Sequence, residues 1–437
     1  MIYSQFIGRT YVQKVLLLLI FVTLVLIASE YLVYTSKRIN NNLHNGIQQN
    51  YFLSSRSIYE HNMTVNNYYK KRENWTTSKL GLILFKDKKY GVPRENKTFV
   101  VLIWKYWNWL KSRHIQNYNS KRNDPLEYCS VKNCKFTGEN NQLGTADAVV
   151  IHMQHGLIPD GKNRNTNQRW IFLNDESPLH SFTMAKVKPK LSDLANIFNW
   201  SMTYRSDADI PVPYGRTISL KEPLADNLTS DTLAELIPNW NKKRRDIHAV
   251  VLISNCVSWR MEYLKKLQNF IDIDIIGKCS TLNKKTCPGH FKSDCDMLSE
   301  YIFYFSFENS FCSQYLTEKI FQNAYSKGAI PVILGPSIED CEQLLPPMSY
   351  IHTDNFDTPE KLASELIHIS QNNETIFRYH RWRNDFEVVN EHGYFGTKSY
   401  HYCRVCEALN YNDDSPTVYD EESLRLFLDP MLTCRKK

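Results

Sequence analysis

The chain has 437 residues, 42% of them hydrophobic, with 53 basic residues against 46 acidic ones and a formal net charge of +7. That length supports a sizeable core, and cores beyond roughly 250–300 residues tend to divide, so two domains of ordinary size are expected. The basic excess is slight and spread out, which argues against nucleic acid as a partner; the tightest cluster, NKKRRD at 241–246, reads as a solvated linker.

A short tail, 1–14, precedes VLLLLIFVTLVLIASEYLVY at 15–34, which is apolar apart from Thr23 and the Ser29/Glu30 break. At about 1.5 Å per residue such a stretch crosses a bilayer as a signal-anchor helix. A cleaved signal peptide competes, because the uninterrupted apolar part is short and Ser29 is small enough for a cleavage site. Arg9 and Lys14 before it balance Lys37 and Arg38 after it, so flanking charge sets no orientation. The sequons do: Asn62, Asn74, Asn96, Asn199, Asn227 and Asn373 all follow the apolar segment, which fits a cytoplasmic N-terminus and a lumenal body. All 11 cysteines also lie downstream, several closely spaced as Cys129/Cys134, Cys287/Cys295 and Cys403/Cys406. In an oxidising lumen these read as disulfides. A zinc site is the alternative for Cys403 and Cys406, but no second well-spaced ligand pair accompanies them. The odd count leaves at least one thiol free or paired to another chain.

Residues 35–95 show little apolar periodicity and are expected as an extended stem. From residue 96 the texture changes. TFVVLIWKYW, ADAVVIHM and RWIFLND read as buried strands of a largely parallel sheet, giving a first Rossmann-like domain over 96–240. Over 241–402 strands and helices alternate: HAVVLISN, WRMEYLKKLQNF, IDIDIIGK, YIFYFSFEN, LTEKIFQNAYSKG, AIPVILG, SYIHTDNF and PEKLASELIHIS. A Cys-containing tail, 403–437, closes the chain. The fold class is therefore α/β, with two Rossmann-like domains facing a cleft. Neither a Gly-x-Gly-x-x-Gly fingerprint nor a Walker loop is present, which argues against nicotinamide and P-loop chemistry.

Ligands of doubly wound sheets collect beyond the carboxyl ends of strands. Polar clusters stand at three such ends: 174–177, 254–255 and 308–310. The helix expected from about Leu316 would aim free N–H groups at the same place, with Lys319 and Arg260 adding positive charge, so a diphosphate site is expected. Glu318 fits such a site only as an acceptor for sugar or ribose hydroxyls, or as a helix-dipole partner.

The blocks NQRWIFLNDESPLH, FNWSMTYRSDADIPVPYG, VLISNCVSWRMEYLKKL, FENSFCSQYLTEK and GAIPVILGP, in this order, resemble the α1,3-fucosyltransferases of glycosyltransferase family 10. The resemblance covers roughly residues 99–406. It implies a GT-B fold on a type II Golgi anchor and inverting transfer of fucose from GDP-fucose to a GlcNAc hydroxyl of a glycoprotein glycan. Glu176 is implied as the base, Arg260 and Lys319 on pyrophosphate, Glu318 on hydroxyls, and Asn309 and Tyr315 in the rest of the donor set. The implied mechanism requires no metal; a divalent cation such as Mn enters at most as a stimulant. Cys256 and Cys312 make the blocks look most like invertebrate and plant core enzymes, which points to the N-glycan core as acceptor. Ser206 departs from the family's usual second basic residue. A Lewis-type antennal enzyme and a catalytically silent Golgi sugar-nucleotide-binding protein are the alternatives.

Overall fold

The computed structural model describes residues 29–30, 57–94, 96–118, 121–161, 164–165, 167–280, 287–289, 291–415 and 417–436. The apolar segment 15–34 lies outside them apart from Ser29 and Glu30, and no helix among the described residues is long and apolar enough to cross a membrane.

Two parallel sheets carry the fold, as a GT-B-like architecture requires. The first comprises β1 (Phe99–Ile103), β2 (Cys134–Thr137), β3 (Ala148–His152), β4 (Arg169–Asn174), β5 (Trp200–Thr203) and β6 (Ile210–Pro211), in the order β2-β1-β3-β4-β5-β6. A two-stranded antiparallel ribbon pairs β7 (Gly215–Ser219) with β13 (Phe386–Asn390). The second sheet has β8 (Ala249–Leu252), β9 (Ile273–Ile276), β10 (Phe303–Phe307), β11 (Ile330–Leu334) and β12 (Ile351–His352), in the order β12-β11-β10-β8-β9. Both sheets lie in one compact unit, residues 63–437.

Alternation along each strand explains why these runs are apolar throughout. Val150, Ile171 and Leu173 enter one core on the first sheet, while Val149, Ile151, Trp170 and Phe172 enter another on its opposite face. In the second sheet Val251, Phe303, Phe305 and Val332 fill one face, and Val250 and Tyr304 the other. A strand covered on both faces has no polar position to spare, so polar residues are pushed to its ends.

Helices follow the same logic. α1 (Lys79–Lys86) starts where Ser78 accepts from the Gly81 N–H, and buries Leu80, Leu84 and Phe85. α2 (Trp107–His114) follows β1, and α3 (Ser258–Leu267) links β8 to β9. α4 (Glu318–Phe321) follows β10, α5 (Pro359–Ser370) follows β12 with Thr358 capping it, α6 is His401–Tyr411 and α7 is Glu421–Leu428.

Several expectations are corrected. Within the stem expected over 35–95, the described residues from 63 on are folded in: Tyr68, Trp75, Leu80 and Leu84 join the first-sheet core, because their aromatic and aliphatic side chains find a face to cover. The tail expected over 403–437 also returns to the first sheet, where α6 is buried along its whole length and Leu424 and Phe427 pack with Phe172 and Phe198. Cys403 and Cys406 do not pair with each other or with a metal. One turn apart on α6, they bond across to Cys129 and Cys134 respectively. Cys287–Cys295 forms as its short spacing suggests, and Cys341 is the free, buried thiol. In the basic linker, Lys243 Nζ turns inward and donates to the carbonyls of Ser299, Tyr301 and Lys327.

The sequons divide. Asn62, Asn74, Asn96, Asn227 and Asn373 are exposed. Asn199 is buried: its Oδ1 accepts from Trp170 N at 2.9 Å and its Nδ2 donates to Thr417 O at 2.9 Å. Its amide nitrogen is buried and already donates to a carbonyl, so the folded chain does not present this sequon for glycosylation. Asn199→Gln is expected to leave glycan mass unchanged by mass spectrometry while lowering the melting temperature, since two buried hydrogen bonds are lost at about 1–3 kcal/mol per orphaned partner.

Candidate active site

Four strand ends converge on one cavity of about 330 Å³. β4 delivers Glu176, β8 delivers Ser254 and Asn255, β9 delivers Gly277, and β10 delivers Asn309. Gly277 has φ +101°, and a Cβ there would meet the Ile253 carbonyl oxygen at 2.5 Å, so only glycine lets the β9 wall close against β8. All six residues expected from sequence, Glu176, Arg260, Asn309, Tyr315, Glu318 and Lys319, line this cavity.

The turn bearing Glu176 is fixed by its neighbours. Asn174 Nδ2 donates to the Glu176 carbonyl at 3.1 Å and to Ser181 Oγ at 2.9 Å, and Tyr214 OH donates to the Asp175 carbonyl at 2.9 Å. Glu176 Oε2 accepts from Tyr315 OH at 2.9 Å, so a tyrosine from the second-sheet side reaches the carboxylate on the first. Burial and then the adjacent Asp175 charge push the Glu176 carboxyl up to about 7.

Behind it lies a charge cluster that sequence reasoning missed. Asp175 is buried, with Arg113 Nη1 at 3.0 Å and His392 Nε2 at 3.3 Å. Burial opposes its charge, yet Arg113 and His392 hold its carboxyl well below the usual range. Burial keeps the surrounding imidazoles neutral, with His152 and His392 lowered to about 4. His114, Asp175 and His401 bring ligand-type atoms within 4.8 Å of one another. The His114 and His401 rings stack at 3.8 Å, their Nδ1 atoms already share Ser399 Oγ at 2.8 and 3.2 Å, and Arg113 already pairs with the carboxylate. The donor set therefore fits ion-pair packing rather than a metal.

The second-sheet wall departs from the simple phosphate seat. α4 has only four residues, because Thr317 is extended and the chain turns into a separate 3-10 turn at Tyr325–Lys327, closed by left-handed Gly328. The N–H of Thr317 donates to buried Glu308 Oε1 at 2.9 Å. Lys319 Nζ sits 2.9 Å from Glu308, 3.4 Å from Glu318 and 2.8 Å from Thr317 Oγ1. Burial opposes that charge, but the two carboxylates outweigh it and push the Lys319 pKa up. Lys319 is thus a neutralised cation within an ion-paired cluster, and Glu308 is the partner that sequence reading overlooked. Arg260 is buried, donating through Nη1 to Phe307 O at 2.8 Å and through Nη2 to Asn255 O. Each terminal nitrogen keeps one further N–H for a ligand.

Other lining residues were not foreseen. Tyr214 lies in a block that carries the family resemblance without an implied role, Asn323 belongs to a helical run that reads as core packing, and Tyr394 and Phe395 follow β13, which pairs with β7. The acidic pairs in YRSDADI are structural: Asp207 pairs with Arg205 and Asp209 accepts from Ser201 and Tyr419.

Comparisons with known proteins fall along the same architecture. A family model described as "Fucosyltransferase, N-terminal" matches residues 96–215, and one described as "Glycosyltransferase family 10 (fucosyltransferase) C-term" matches residues 240–423. Mouse Alpha-(1,3)-fucosyltransferase 4 is 33% identical over 258 residues, covering 58% of this chain and 54% of its own length. Mouse 4-galactosyl-N-acetylglucosaminide 3-alpha-L-fucosyltransferase 9 is 30% identical over 299 residues, covering 66% and 74%. Drosophila melanogaster Glycoprotein 3-alpha-L-fucosyltransferase A is 30% identical over 303 residues, covering 68% and 53%. The chain thus spans about half the length of two of these relatives and about three quarters of the third. A solved alpha1,3-fucosyltransferase with GDP-fucose is 14% identical, with a TM-score of 0.43 over 80% of this chain and 94% of that one.

Proposed function

Since the chain belongs to the glycosyltransferase family 10 fucosyltransferases, we propose that it transfers L-fucose from GDP-fucose to a GlcNAc hydroxyl of a glycoprotein glycan, in α1,3 linkage and with inversion. The observation that carries this reading is the convergence of Glu176 and five donor-side residues on one cavity. The first-sheet half carries the acceptor side and the second-sheet half the donor side. Glu176 takes the proton of the attacking hydroxyl, whose oxygen forms the new bond to fucose C1 as the C1–O bond to GDP breaks. Negative charge then gathers on the leaving diphosphate, where the remaining N–H groups of Arg260 stabilise it. Tyr315 orients the base through its 2.9 Å hydrogen bond.

Incubating the purified protein with GDP-fucose and a panel of N-glycan acceptors, read by mass spectrometry with linkage-specific digestion, tests the activity and its acceptor together. Core fucosylation is the expected product; Cys256 and Cys312, the cysteines behind the core-type resemblance, both form disulfides beside the cavity. Products fucosylated on antennae alone would move the acceptor to the Lewis type, and none at all would leave a silent GDP-fucose-binding protein. Arg260→Ala is expected to weaken GDP binding by about 10- to 100-fold in calorimetry, the value of a charge-assisted hydrogen bond; unchanged affinity would remove Arg260 from the diphosphate.

We assign the protein to the Golgi membrane, with residues 15–34 as a type II anchor and the catalytic body lumenal. Five exposed sequons and five disulfides support an oxidising, glycosylating compartment. Protease protection of the body in intact microsomes is the expected result, and digestion without detergent would reverse the topology.

A further inference from the structure

The donor-side loop 309–315 bears two cavity residues, Asn309 and Tyr315, three positions on either side of Cys312. It has little regular structure of its own, and Gln314 adopts φ +57°. Gln314 Oε1 accepts from Ser206 N at 2.9 Å and Ser313 Oγ donates to Asp340 Oδ1 at 3.2 Å, but the covalent anchor at its centre comes from residues 433–435. Cys312 is fully buried and disulfide-bonded to Cys434, 122 residues away. The two cysteines also form an antiparallel bridge, in which Ser313 N donates to Thr433 O and Arg435 N donates to Phe311 O, both at 2.8 Å. Arg435 then ties this strap to the second sheet: Nη2 donates to Gly335 O at 3.0 Å and Pro336 O at 3.2 Å, and Nη1 pairs with Asp354 at 3.1 Å.

We propose that residues 433–435 are a strap that positions the donor loop, with Cys434 and Arg435 as positioning residues for binding the nucleoside diphosphate. The inference rests on the donor reading of the cavity. An irregular seven-residue loop keeps substantial backbone freedom when held only at its ends, and ordering it on ligand binding subtracts from affinity. A crosslink and two ladder hydrogen bonds at its centre remove that freedom beforehand, fixing Asn309 in the wall and Tyr315 OH on Glu176. Neither strap residue lines the cavity, so their effect on ligand passes through the loop.

The test measures GDP affinity by calorimetry and the melting temperature of the full chain for wild type, Cys434→Ser and Arg435→Ala. Expected are a GDP dissociation constant at least about tenfold higher in Cys434→Ser and a smaller rise in Arg435→Ala, where the disulfide remains. A merely stabilising crosslink would lower melting and leave GDP affinity, measured well below the transition, unmoved. Affinity within twofold of wild type in a cooperatively melting Cys434→Ser overturns the strap. If that variant does not fold, unchanged affinity in Arg435→Ala does so. Wild-type protein that binds no GDP overturns the donor reading and this inference with it, whereas wild-type binding with unchanged variants overturns the strap alone.

Discussion

Glu176→Gln is expected to lower kcat for fucose transfer by about 10²- to 10⁴-fold, the usual contribution of a positioned general base, with GDP binding unchanged. The amide keeps the shape of the carboxyl group and can still meet Tyr315 OH, so the variant loses basicity rather than geometry. The wild-type pH profile carries the same signature. Burial and the Asp175 charge disfavour the ionised form, which raises the carboxyl to about 7. A raised pKa means the base is lost as pH falls through about 7, so kcat/KM should drop on the acid side and level off above it. That acid limb should disappear in Glu176→Gln. Full activity in the variant, or an acid limb that survives the substitution, would take the base role away from Glu176.

The second large effect belongs to Glu308. It is fully buried, accepts from both the N–H and the hydroxyl of Thr317, and pairs with Lys319 at 2.9 Å. Breaking a buried pair by removing one partner costs about 3–5 kcal/mol, because the other charge is left uncompensated. Glu308→Ala and Lys319→Met are therefore each expected to lower unfolding stability by about that amount in denaturant titration, and the double variant by clearly less than the sum. Additive losses would show that the pair is not coupled, and a loss below about 1 kcal/mol would place it in the surface class. The same cycle separates two readings of Lys319. As a free phosphate cation it would be stability-neutral to remove, whereas as a paired group it is part of the wall that shapes the cavity.

Much of the fold was legible in the chain. Buried parallel strands must be apolar on both faces, so AVVIH, RWIFLN and FYFSF announce themselves without any structure. Residues expelled from such strands gather at their ends, which is why Glu176, Asn255 and Asn309 could be named as one site before their distances were known. The helix expected from Leu316 was overdrawn: its apolar spacing is real, since Ile320, Phe321, Ala324 and Tyr325 are all buried. The backbone nevertheless breaks after Phe321, because packing against the ribbon, with Gly215 closed over Phe321, decides its course. Asp175 could not be distinguished from a turn carboxylate, since its partners Arg113 and His392 lie 62 and 217 positions away by their numbers.

By itself, then, the sequence determined the strands, their polar ends and six of the residues that line the cavity, because these follow from local periodicity and from motifs contiguous in the chain. Tertiary structure alone decided the pairings. Cys403 and Cys406 bond to Cys129 and Cys134 instead of to each other, Asn199 is buried by Trp170 and Thr417, Lys319 is neutralised by Glu308, and the last residues close over Cys312. The physical reason is common to all four: a cysteine, amide or ion states its capacity to bond in its own chemistry, but its partner is chosen by which distant segments the packed sheets bring within reach.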